Sequence, residues 1–199
     1  MTRIHQVVLA AGLIVAVVAL SGFDDTPPVS SDTVLVVGDS LVHGGAAVIA
    51  AGLEQHGWRS VVDGRPGWSI EEWAPALPPL VAVVRPRIAV VVLGTNDCAP
   101  ECIDVAGGID QIMATLLKSG VERVLWLNVQ EQASYPANPG RVNLELQSAT
   151  MRWPRLSIVD MDHALGGNPA LHIADGVHFN DPGNLALTAL VVDSVDPAR

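Results

Sequence analysis

The fold is decided by residues 34–41, which read VLVVGDSL. Four apolar residues in succession, three of them β-branched, predict a strand that is buried on both faces of a parallel sheet. The strand ends at Gly38, and the apolar spacing that follows predicts a helix ending near Gly57. Ser40 therefore lies at a strand-to-helix turn, at the sheet edge where open α/β folds place their sites. It is either a nucleophile whose oxyanion the helix N-terminus would stabilise, or only the N-cap of the helix.

Short apolar runs alternate with longer amphipathic segments along the rest of the chain. The predicted strands cover residues 33–38, 59–63, 87–93, 122–129 and 156–160. The predicted helices cover residues 43–56, 70–83, 106–119, 141–152 and 182–195. This alternation is typical of a parallel sheet with helices on both faces. The sequence shows no internal repeat, so residues 33–199 are predicted to form one domain.

The first 23 residues are typical of a signal peptide, and an uncleaved N-terminal anchor is the alternative. They combine a basic start, an uncharged apolar segment over residues 7–20, and small residues before Phe23. The apolar segment is short for a spanning helix, which needs about 20 residues. Phe23 stands where a lipoprotein would carry its cysteine, so we expect export without lipidation, to the medium or the cell envelope. Residues 24–32 are polar and contain prolines, which predicts a flexible linker.

The net charge excludes two classes of partner. At −10, it opposes binding to nucleic acid, which requires a basic surface. It equally opposes attachment to anionic lipid headgroups. Membrane contact is therefore expected only through the N-terminal segment, if that segment is not cleaved. We expect a monomer, although the sequence leaves the oligomeric state open.

Cys98 and Cys102 are the only cysteines. In an exported chain, two cysteines this close most simply form a disulfide that closes a small loop. A metal site would need more ligands than the neighbouring acidic residues offer, and a redox pair would normally have a different spacing. We favour a structural disulfide and expect no metal site, with both alternatives left open.

Polar and glycine-rich motifs follow the first three predicted strands. They are GDSL at residues 38–41, DGRPGWS at residues 63–69 and LGTND at residues 93–97. A fourth motif, ADGVHFN at residues 174–180, precedes the last helix. In a doubly wound sheet, the loops that follow neighbouring strands converge on one crevice.

These motifs hold the groups that acyl transfer by a serine requires. Ser40 supplies the hydroxyl, and His178 supplies the base, since histidine is the side chain whose unperturbed pKa lies close to neutral pH. Asp175 lies three residues before His178, close enough to orient the imidazole. Candidate donors for an oxyanion are the N–H groups of Ser40 and Gly67 and the side-chain amide of Asn96. Glycine suits this role because no Cβ obstructs the approach of a substrate.

The same motifs resemble the conserved blocks of the GDSL, or SGNH, esterase and lipase family. The matching positions are residues 38–41, Gly67, residues 94–97 and residues 175–178, in the order of that family. One such tetrapeptide carries little weight, but four in the right order are a strong signal. The resemblance spans most of the predicted domain.

The resemblance implies a three-layer α/β/α, flavodoxin-like fold around a central five-stranded parallel sheet. It implies that Ser40 is the nucleophile and that His178 is the base, oriented by Asp175. It also implies an oxyanion hole formed by Ser40, Gly67 and Asn96, and a reaction without metal or organic cofactor. The loop closed by the cysteines directly follows the Asn96 block and is interpreted as stiffening it.

Other polar residues near these motifs have simpler interpretations. Asp39 is predicted to be a turn and cap residue, and Asp97 to hold its own loop. His43 follows Ser40 by one turn, but no carboxylate is predicted beside it. His163 and His172 are expected at the surface of a loop. His56 is expected at an exposed helix end.

The aromatic residues and one long loop bear on substrate selection. Trp68 and Trp73 either line a substrate pocket or belong to the core, which is the commoner fate of aromatic residues beside a sheet. Trp126 lies in a predicted strand and is expected to be packed. Residues 131–141 are predicted to form one wall of the crevice.

Three functions are compatible with the sequence. The first is an exported serine ester hydrolase that acts on small-molecule or polymer-attached esters. The sequence contains no long inserted lid, which favours short acyl groups or carbohydrate and cell-envelope esters as substrates. The second is an acyltransferase with the same residues, moving the acyl group to a sugar or envelope hydroxyl. The third is a binding module that kept the fold and lost the chemistry, which would predict a missing catalytic residue.

Overall fold

The computed structural model describes residues 32–98, 101–102, 104–132 and 138–196 of the chain. The predicted signal peptide or anchor, residues 1–23, lies outside the described residues, as does the predicted linker except for Asp32. Among the residues that the structure describes, no helix is long and apolar enough to cross a membrane.

A five-stranded sheet forms the centre of the molecule, and every pair of neighbouring strands is parallel. The strands are β1 (Thr33–Gly38), β2 (Arg59–Gly64), β3 (Ile88–Val92), β4 (Arg123–Leu127) and β5 (Leu156–Val159). Their order across the sheet is β2-β1-β3-β4-β5. The predicted fold class is therefore confirmed, and each predicted strand matches an observed one to within two residues at either end.

Six α-helices and one short 3₁₀ helix connect and cover the described strands. The α-helices are α1 (Ser40–Gln55), α2 (Ile70–Val84), α3 (Val105–Lys118), α4 (Pro139–Arg152), α5 (Met161–Leu165) and α6 (Asp181–Val195). The 3₁₀ helix covers Pro169–Leu171. The predicted start of α1 at residue 43 is wrong, because Asp39 caps the helix and Ser40 is already helical. Helix α5 and the 3₁₀ helix were not predicted, since both are too short to show a hydrophobic period.

The sheet separates two hydrophobic clusters, as the alternation of side chains along a strand requires. Leu35 and Val37 of β1 face the cluster that α2, α3 and α4 complete. Val34 and Val36 face the cluster that α1, α5 and α6 complete. All four side chains are fully buried or nearly so. Because it is buried on both faces, β1 lies inside the sheet, between β2 and β3, and this fixes the position of the residues that follow it.

The predicted disulfide is present between Cys98 and Cys102. It closes a short loop directly after β3, and the carbonyl of Cys98 accepts a hydrogen bond from the N–H of Asn138 at 3.3 Å. This bond ties the loop to the beginning of α4.

Candidate active site

The strand order places three loops beside one another at the carboxyl edge of the sheet. The loop after β1 lies between the loops after β2 and β3, because β1 pairs with both strands. The N–H of Asp39 donates to the carbonyl of Val92 at 3.3 Å, which joins the first and third loops. The predicted convergence of the first three polar motifs at one edge is therefore observed.

Ser40 is the first residue of α1 and follows β1 by one residue. Its neighbour Asp39 is the N-cap, and the Asp39 Oδ1 atom accepts the N–H of Leu41 at 2.9 Å. The interpretation of Ser40 as the N-cap is thus wrong, and the interpretation of Asp39 as a cap residue is confirmed. Because Asp39 caps α1, the hydroxyl of Ser40 is not needed as the cap and is available for another partner.

That partner is His178, which belongs to the loop before α6. The Ser40 Oγ atom lies 2.9 Å from Nε2 of His178, and Nδ1 of the same ring lies 2.7 Å from Oδ2 of Asp175. A carboxylate can only accept, so Nδ1 carries the proton in the neutral ring and Nε2 is left to accept the hydroxyl proton of Ser40. The three side chains therefore form a continuous hydrogen-bonded chain.

The Asp175 carboxylate is held by its own loop. Its Oδ1 atom accepts the N–H groups of Val177 at 2.8 Å and His178 at 3.0 Å. These two bonds, followed by the contact with the His178 ring, lower the pKa of Asp175 to about 2. The group is therefore ionised throughout the neutral range. Gly176 adopts a φ of +71° inside this turn, a conformation that glycine adopts without a steric penalty.

Asn180 fixes the other end of the same loop. Its Oδ1 atom caps α6 by accepting the N–H of Gly183 at 3.0 Å. Its Nδ2 atom donates to the carbonyls of Ala170 at 2.9 Å and His172 at 3.2 Å. The segment that carries Asp175 and His178 is thereby attached to the 3₁₀ helix and to α6 at once.

Gly67 occupies a tight turn in the loop after β2. The N–H of Trp68 donates to the carbonyl of Arg65 at 3.1 Å, and Gly67 has a φ of +78°. Proline at the second position and a positive φ at the third are typical of a type II turn, which favours glycine there. Among the described residues no acceptor is recorded for the N–H of Gly67 or for that of Ser40, so both are able to donate to a ligand.

The side-chain amide of Asn96 is oriented by two oxygen atoms. Its Nδ2 atom donates to the carbonyl of Trp68 at 3.1 Å and lies 3.5 Å from Oδ2 of Asp39. The first distance is that of a good hydrogen bond, and the second is at the outer limit. One amide hydrogen is thus held firmly, while the other remains largely available to an oxyanion.

Two carboxyl groups, one buried and one partly buried, lie behind these donors. Burial raises the pKa of Asp39 to about 6 and the pKa of Asp97 to about 7, and the proximity of Asp39 contributes to the second shift. The Oδ1 atom of Asp97 accepts the N–H of Ile70 at 2.8 Å, whereas its Oδ2 atom has no hydrogen-bond partner among the residues that the structure describes. The prediction that Asp97 holds its own loop is therefore incomplete, because its side chain joins that loop to the start of α2.

His43, His56 and His163 do not join the hydrogen-bonded chain of Ser40. His43 donates through Nδ1 to the carbonyl of Gly64 at 3.2 Å, in line with the absence of a predicted carboxylate partner. His56 is at the exposed end of α1, as expected. His163 is exposed, as expected, but it lies in α5 and not in a loop.

His172 contradicts its prediction as a surface residue, because only 8% of it is exposed. Its Nδ1 atom donates to the carbonyl of Asn168 at 2.8 Å, and its Nε2 atom lies 2.7 Å from Oε1 of Gln130. Its ring also packs against Phe179 at a centroid distance of 5.0 Å. The position of His172 in a loop did not indicate that Phe179 packs on its ring.

The tryptophans divide between core and site. Trp73 and Trp126 are fully buried, which confirms the core interpretation for Trp73 and the prediction for Trp126. Trp68 is only partly buried. Sequence analysis missed Arg65, whose guanidinium carbon lies 4.3 Å and 4.4 Å from the ring centroids of Trp68 and Trp73. The only signal was the arginine inside the motif at residues 63–69.

An open cavity of about 370 Å³ flanks Asp175. Its lining combines backbone of the loop before α6 with a few side chains, namely Gln132, Gly167, Asn168, Pro169, His172, Ile173, Ala174 and Gly176. Gln132 belongs to the segment predicted to form a wall of the crevice, and residues 133–137 of that segment lie outside the described residues. Among the residues that the structure describes, no group of three or more His, Cys, Asp or Glu side chains is placed to hold a metal ion.

Comparison with known proteins agrees with this geometry. The sequence model of the GDSL-like lipase/acylhydrolase family matches residues 36–186. No curated protein sequence shows a significant match. Among solved structures, a lipase/acylhydrolase from Enterococcus faecalis is 20% identical with a TM-score of 0.69, over 83% of this chain and 96% of that chain.

Two further solved structures are similar in fold. A GDSL-like lipase from Bacteroides thetaiotaomicron VPI-5482 is 18% identical with a TM-score of 0.68, over 84% of this chain and 89% of that chain. A catalytic mutant of an acetylxylan esterase from Geobacillus stearothermophilus is 15% identical with a TM-score of 0.67, over 83% of this chain and 94% of that chain. At these identities the likeness establishes a shared three-layer α/β/α fold.

Proposed function

Because this chain belongs to the GDSL-like lipase/acylhydrolase family, we propose that it is an exported serine ester hydrolase that works through an acyl-enzyme. The proposal is carried by the 2.9 Å contact between Ser40 Oγ and His178 Nε2, two residues separated by 138 positions in sequence. A serine in contact with an imidazole that a carboxylate orients is the arrangement that activates a hydroxyl for attack.

The first half of the reaction forms the acyl-enzyme. His178 Nε2 takes the hydroxyl proton while Ser40 Oγ attacks the ester carbonyl carbon. The carbonyl oxygen becomes an oxyanion that the N–H groups of Ser40 and Gly67 and the amide of Asn96 stabilise. When the tetrahedral intermediate collapses, His178 gives its proton to the departing alcohol oxygen, and the acyl group remains on Ser40.

The second half releases the acid. A water molecule gives a proton to His178 Nε2 and attacks the acyl carbon, and the same donors stabilise the second oxyanion. The bond to Ser40 Oγ then breaks, and His178 returns the proton to that oxygen. Asp175 remains ionised throughout, because two backbone N–H groups hold its pKa at about 2, and its charge stabilises the imidazolium formed in each half.

We propose short acyl groups on carbohydrate or cell-envelope alcohols as the substrates. The open cavity beside Asp175 supports this choice, because the side chains that line it include the amides of Gln132 and Asn168. One structural neighbour is an acetylxylan esterase, and that likeness supports the same class. The basic, apolar and small-residue order of residues 1–23 supports export.

An acyltransferase reaction is the second candidate, and the same cavity favours it. The lining of the cavity includes Ala174 and Gly176, the two neighbours of Asp175 in sequence. If a sugar hydroxyl bound there more effectively than water, the acyl-enzyme would transfer its acyl group to the sugar. Mass spectrometry of the products, with and without candidate sugars, distinguishes transfer from hydrolysis.

The test of the proposed function is Ser40→Ala. We expect the purified wild-type protein to hydrolyse p-nitrophenyl acetate and acetylated sugars, and we expect Ser40→Ala to reduce both rates by about 10⁶-fold, to the background. A fluorophosphonate probe should label the wild type and not the variant. Ser119→Ala is the control, because in the described part of the chain the only hydrogen bond recorded for that hydroxyl is to the carbonyl of Thr115 at the end of α3. Turnover that survives in Ser40→Ala would exclude the assignment.

A further inference from the structure

The Arg65 guanidinium is held on three sides in the loop after β2. Its central carbon lies 4.3 Å from the ring centroid of Trp68 and 4.4 Å from that of Trp73. The edge of the guanidinium donates to both carboxylate oxygens of Asp63, from Nε at 3.2 Å and from Nη2 at 2.8 Å. The side chains of Arg65 and Asp63 are only 32% and 28% exposed. A planar cation can stack on indole faces and bind a carboxylate through two bonds at the same time.

The same loop is hydrogen-bonded to the end of β1. The backbone N–H of Arg65 donates to the carbonyl of Gly38 at 2.9 Å, and Nε1 of Trp73 donates to that same oxygen at 3.1 Å. Gly38 stands two residues before Ser40. Both lone pairs of this carbonyl are therefore used to connect the Arg65 loop to the strand that carries the nucleophile.

The loop also reaches the third oxyanion donor. The carbonyl of Trp68 accepts a hydrogen of Asn96 Nδ2 at 3.1 Å, which sets the plane of that amide. Gly67, the second donor, lies between Arg65 and Trp68 in a turn closed by the bond from the Trp68 N–H to the Arg65 carbonyl at 3.1 Å. Any movement of the Trp68 indole on its cation would therefore displace Gly67 and turn the Asn96 amide.

We propose that Arg65 is a positioning residue of the oxyanion hole, which it holds in shape through its stack with Trp68 and Trp73. This inference rests on the proposed function, because it concerns the donors that act in that reaction. Arg65 makes no recorded contact with Ser40, His178 or Asp175, so it acts only through the loop. Its stack orients the Gly67 N–H through the turn between Arg65 and Trp68, and it orients the Asn96 amide through the Trp68 carbonyl.

The effect of losing Arg65 should appear in kcat and not in KM. Donors to an oxyanion act on charge that exists only in the transition state, so a misplaced donor leaves ground-state binding nearly unchanged. Loss of one donor costs about 100- to 1000-fold in rate, and a displaced donor should cost less. We therefore expect a decrease of about 10- to 100-fold in kcat when the guanidinium is removed.

The chain contains a matched control at the opposite edge of the sheet. The Arg87 guanidinium lies 5.7 Å from the ring centroid of Trp58 and donates from Nε to Glu122 at 3.1 Å. Like Arg65, this arginine lies next to an indole and a carboxylate at the end of a strand. Arg87 directly precedes β3 at the amino edge, so its loss should affect stability without reaching the oxyanion donors.

The experiment compares Arg65→Met with Arg87→Met on p-nitrophenyl acetate, with the melting temperature measured for each variant. Methionine keeps an apolar stem and removes the cation and the donors. We expect kcat to fall about 10- to 100-fold in Arg65→Met, with KM within about 2-fold of the wild type, and to remain nearly unchanged in Arg87→Met. Equal kcat values in the two variants would overturn the inference. If Arg65→Met does not fold, Arg65→Lys and Arg87→Lys carry the same comparison, because lysine keeps the charge but cannot make the paired bonds to the carboxylate.

A double-mutant cycle with Asn96→Ala separates positioning from general destabilisation. If Arg65 acts through Asn96, Arg65→Met should lower kcat several-fold less in the Asn96→Ala background than in the wild type. If the two decreases multiply in full, Arg65 does not position the amide. The wild type and Ser40→Ala provide the separate test of the proposed function. Activity lost in Ser40→Ala but equal in Arg65→Met and Arg87→Met would leave the function intact and exclude only this inference.

Discussion

Three aspartates near the site show how local environment sets the state of one residue type. Asp175 is well exposed and accepts two backbone N–H groups, so its pKa falls to about 2. Asp39 is buried and Asp97 is partly buried, so desolvation raises their pKa values to about 6 and about 7. Desolvation disfavours a charge and hydrogen bonds to the charged form favour it, which explains the opposite directions. Only Asp175 is therefore dependably anionic at neutral pH, as the orientation of an imidazole requires.

At the residue scale, Asp175→Asn should disable the reaction while leaving the fold in place. The amide would let the His178 ring carry its proton on Nε2, where it cannot accept the proton of Ser40. We expect kcat to fall about 10³- to 10⁴-fold with little change in KM, measured on p-nitrophenyl acetate at pH 7.

Asp160→Asn is the control for this substitution. Asp160 also accepts the backbone N–H of a histidine three residues later, His163, at 3.1 Å, but no serine is recorded in contact with that histidine. Its activity should stay close to that of the wild type. Similar losses in the two variants would show that the Asp175 effect is a general consequence of removing a capping carboxylate.

Helix α2 shows how tertiary packing can override local preference within one element. It contains Pro75, Pro78 and Pro79, and interior prolines cost a helix about 3 kcal/mol each in a peptide. Its apolar face nevertheless recurs at helical spacing, and Ile70, Trp73, Leu77 and Val81 are fully buried. The prolines lie on the outer face, away from this stripe. Hydrophobic period, and not proline content, was therefore the correct basis for predicting this helix.

At the element scale, Asn180→Ala should destabilise the loop that carries Asp175 and His178. The substitution removes the cap of α6 and leaves the carbonyls of Ala170 and His172 without this donor. Loss of a cap costs about 1 kcal/mol and each lost hydrogen bond about 1 kcal/mol more. We expect the free energy of unfolding in urea to fall by about 2–3 kcal/mol.

Asn138→Ala is the matched substitution, because Asn138 caps α4 by accepting the N–H of Arg141 and its side chain has no other recorded bond in the described part of the chain. We expect it to lose only about 1 kcal/mol. If Asn138→Ala were at least as destabilising as Asn180→Ala, the bonds from Asn180 to the 3₁₀ segment would contribute nothing to stability.

At the scale of the whole molecule, the carboxyl groups of Asp39 and Asp97 make the stability of the fold depend on pH. In the unfolded chain both would titrate near 3.8, whereas in the folded protein they titrate at about 6 and about 7. Between these values the folded state binds more protons than the unfolded state, so stability must fall as pH rises. The stabilisation that comes from the protonated forms of Asp39 and Asp97 is complete below about pH 4 and is lost above about pH 7.

This pH dependence can be measured by urea unfolding at pH 4.5 and pH 7.5. From Asp39 and Asp97 we expect a contribution on the order of 5 kcal/mol to the decline in the free energy of unfolding. Asp97→Asn should flatten the dependence, because the amide does not titrate. Asp193→Asn, at an exposed position of α6, should leave it unchanged. An unaltered slope in Asp97→Asn would contradict the raised pKa of that group.

Several features were predictable because they depend on local sequence. The strands were found from runs of β-branched residues, and burial of β1 on both faces followed from its unbroken apolar character. The disulfide followed from the spacing of Cys98 and Cys102. By contrast, the burial of His172 depends on its contacts with Gln130 and Phe179. Neither the hydrophobic pattern around His172 nor its neighbours in sequence indicated those contacts.

The sequence by itself determined a parallel α/β sheet, and with it the family and the residues able to form a catalytic chain, because strand burial, glycine turns and short motifs are all written in consecutive positions. Only the tertiary structure decided that Ser40 Oγ and His178 Nε2 are 2.9 Å apart, that Gln130 and Phe179 contact a buried His172, and that the Arg65 guanidinium packs against Trp68 and Trp73. The first two join residues far apart in the chain, and the third depends on how α2 packs beside the loop after β2. Their distances depend on how helices pack on both faces of the sheet, which no local pattern specifies.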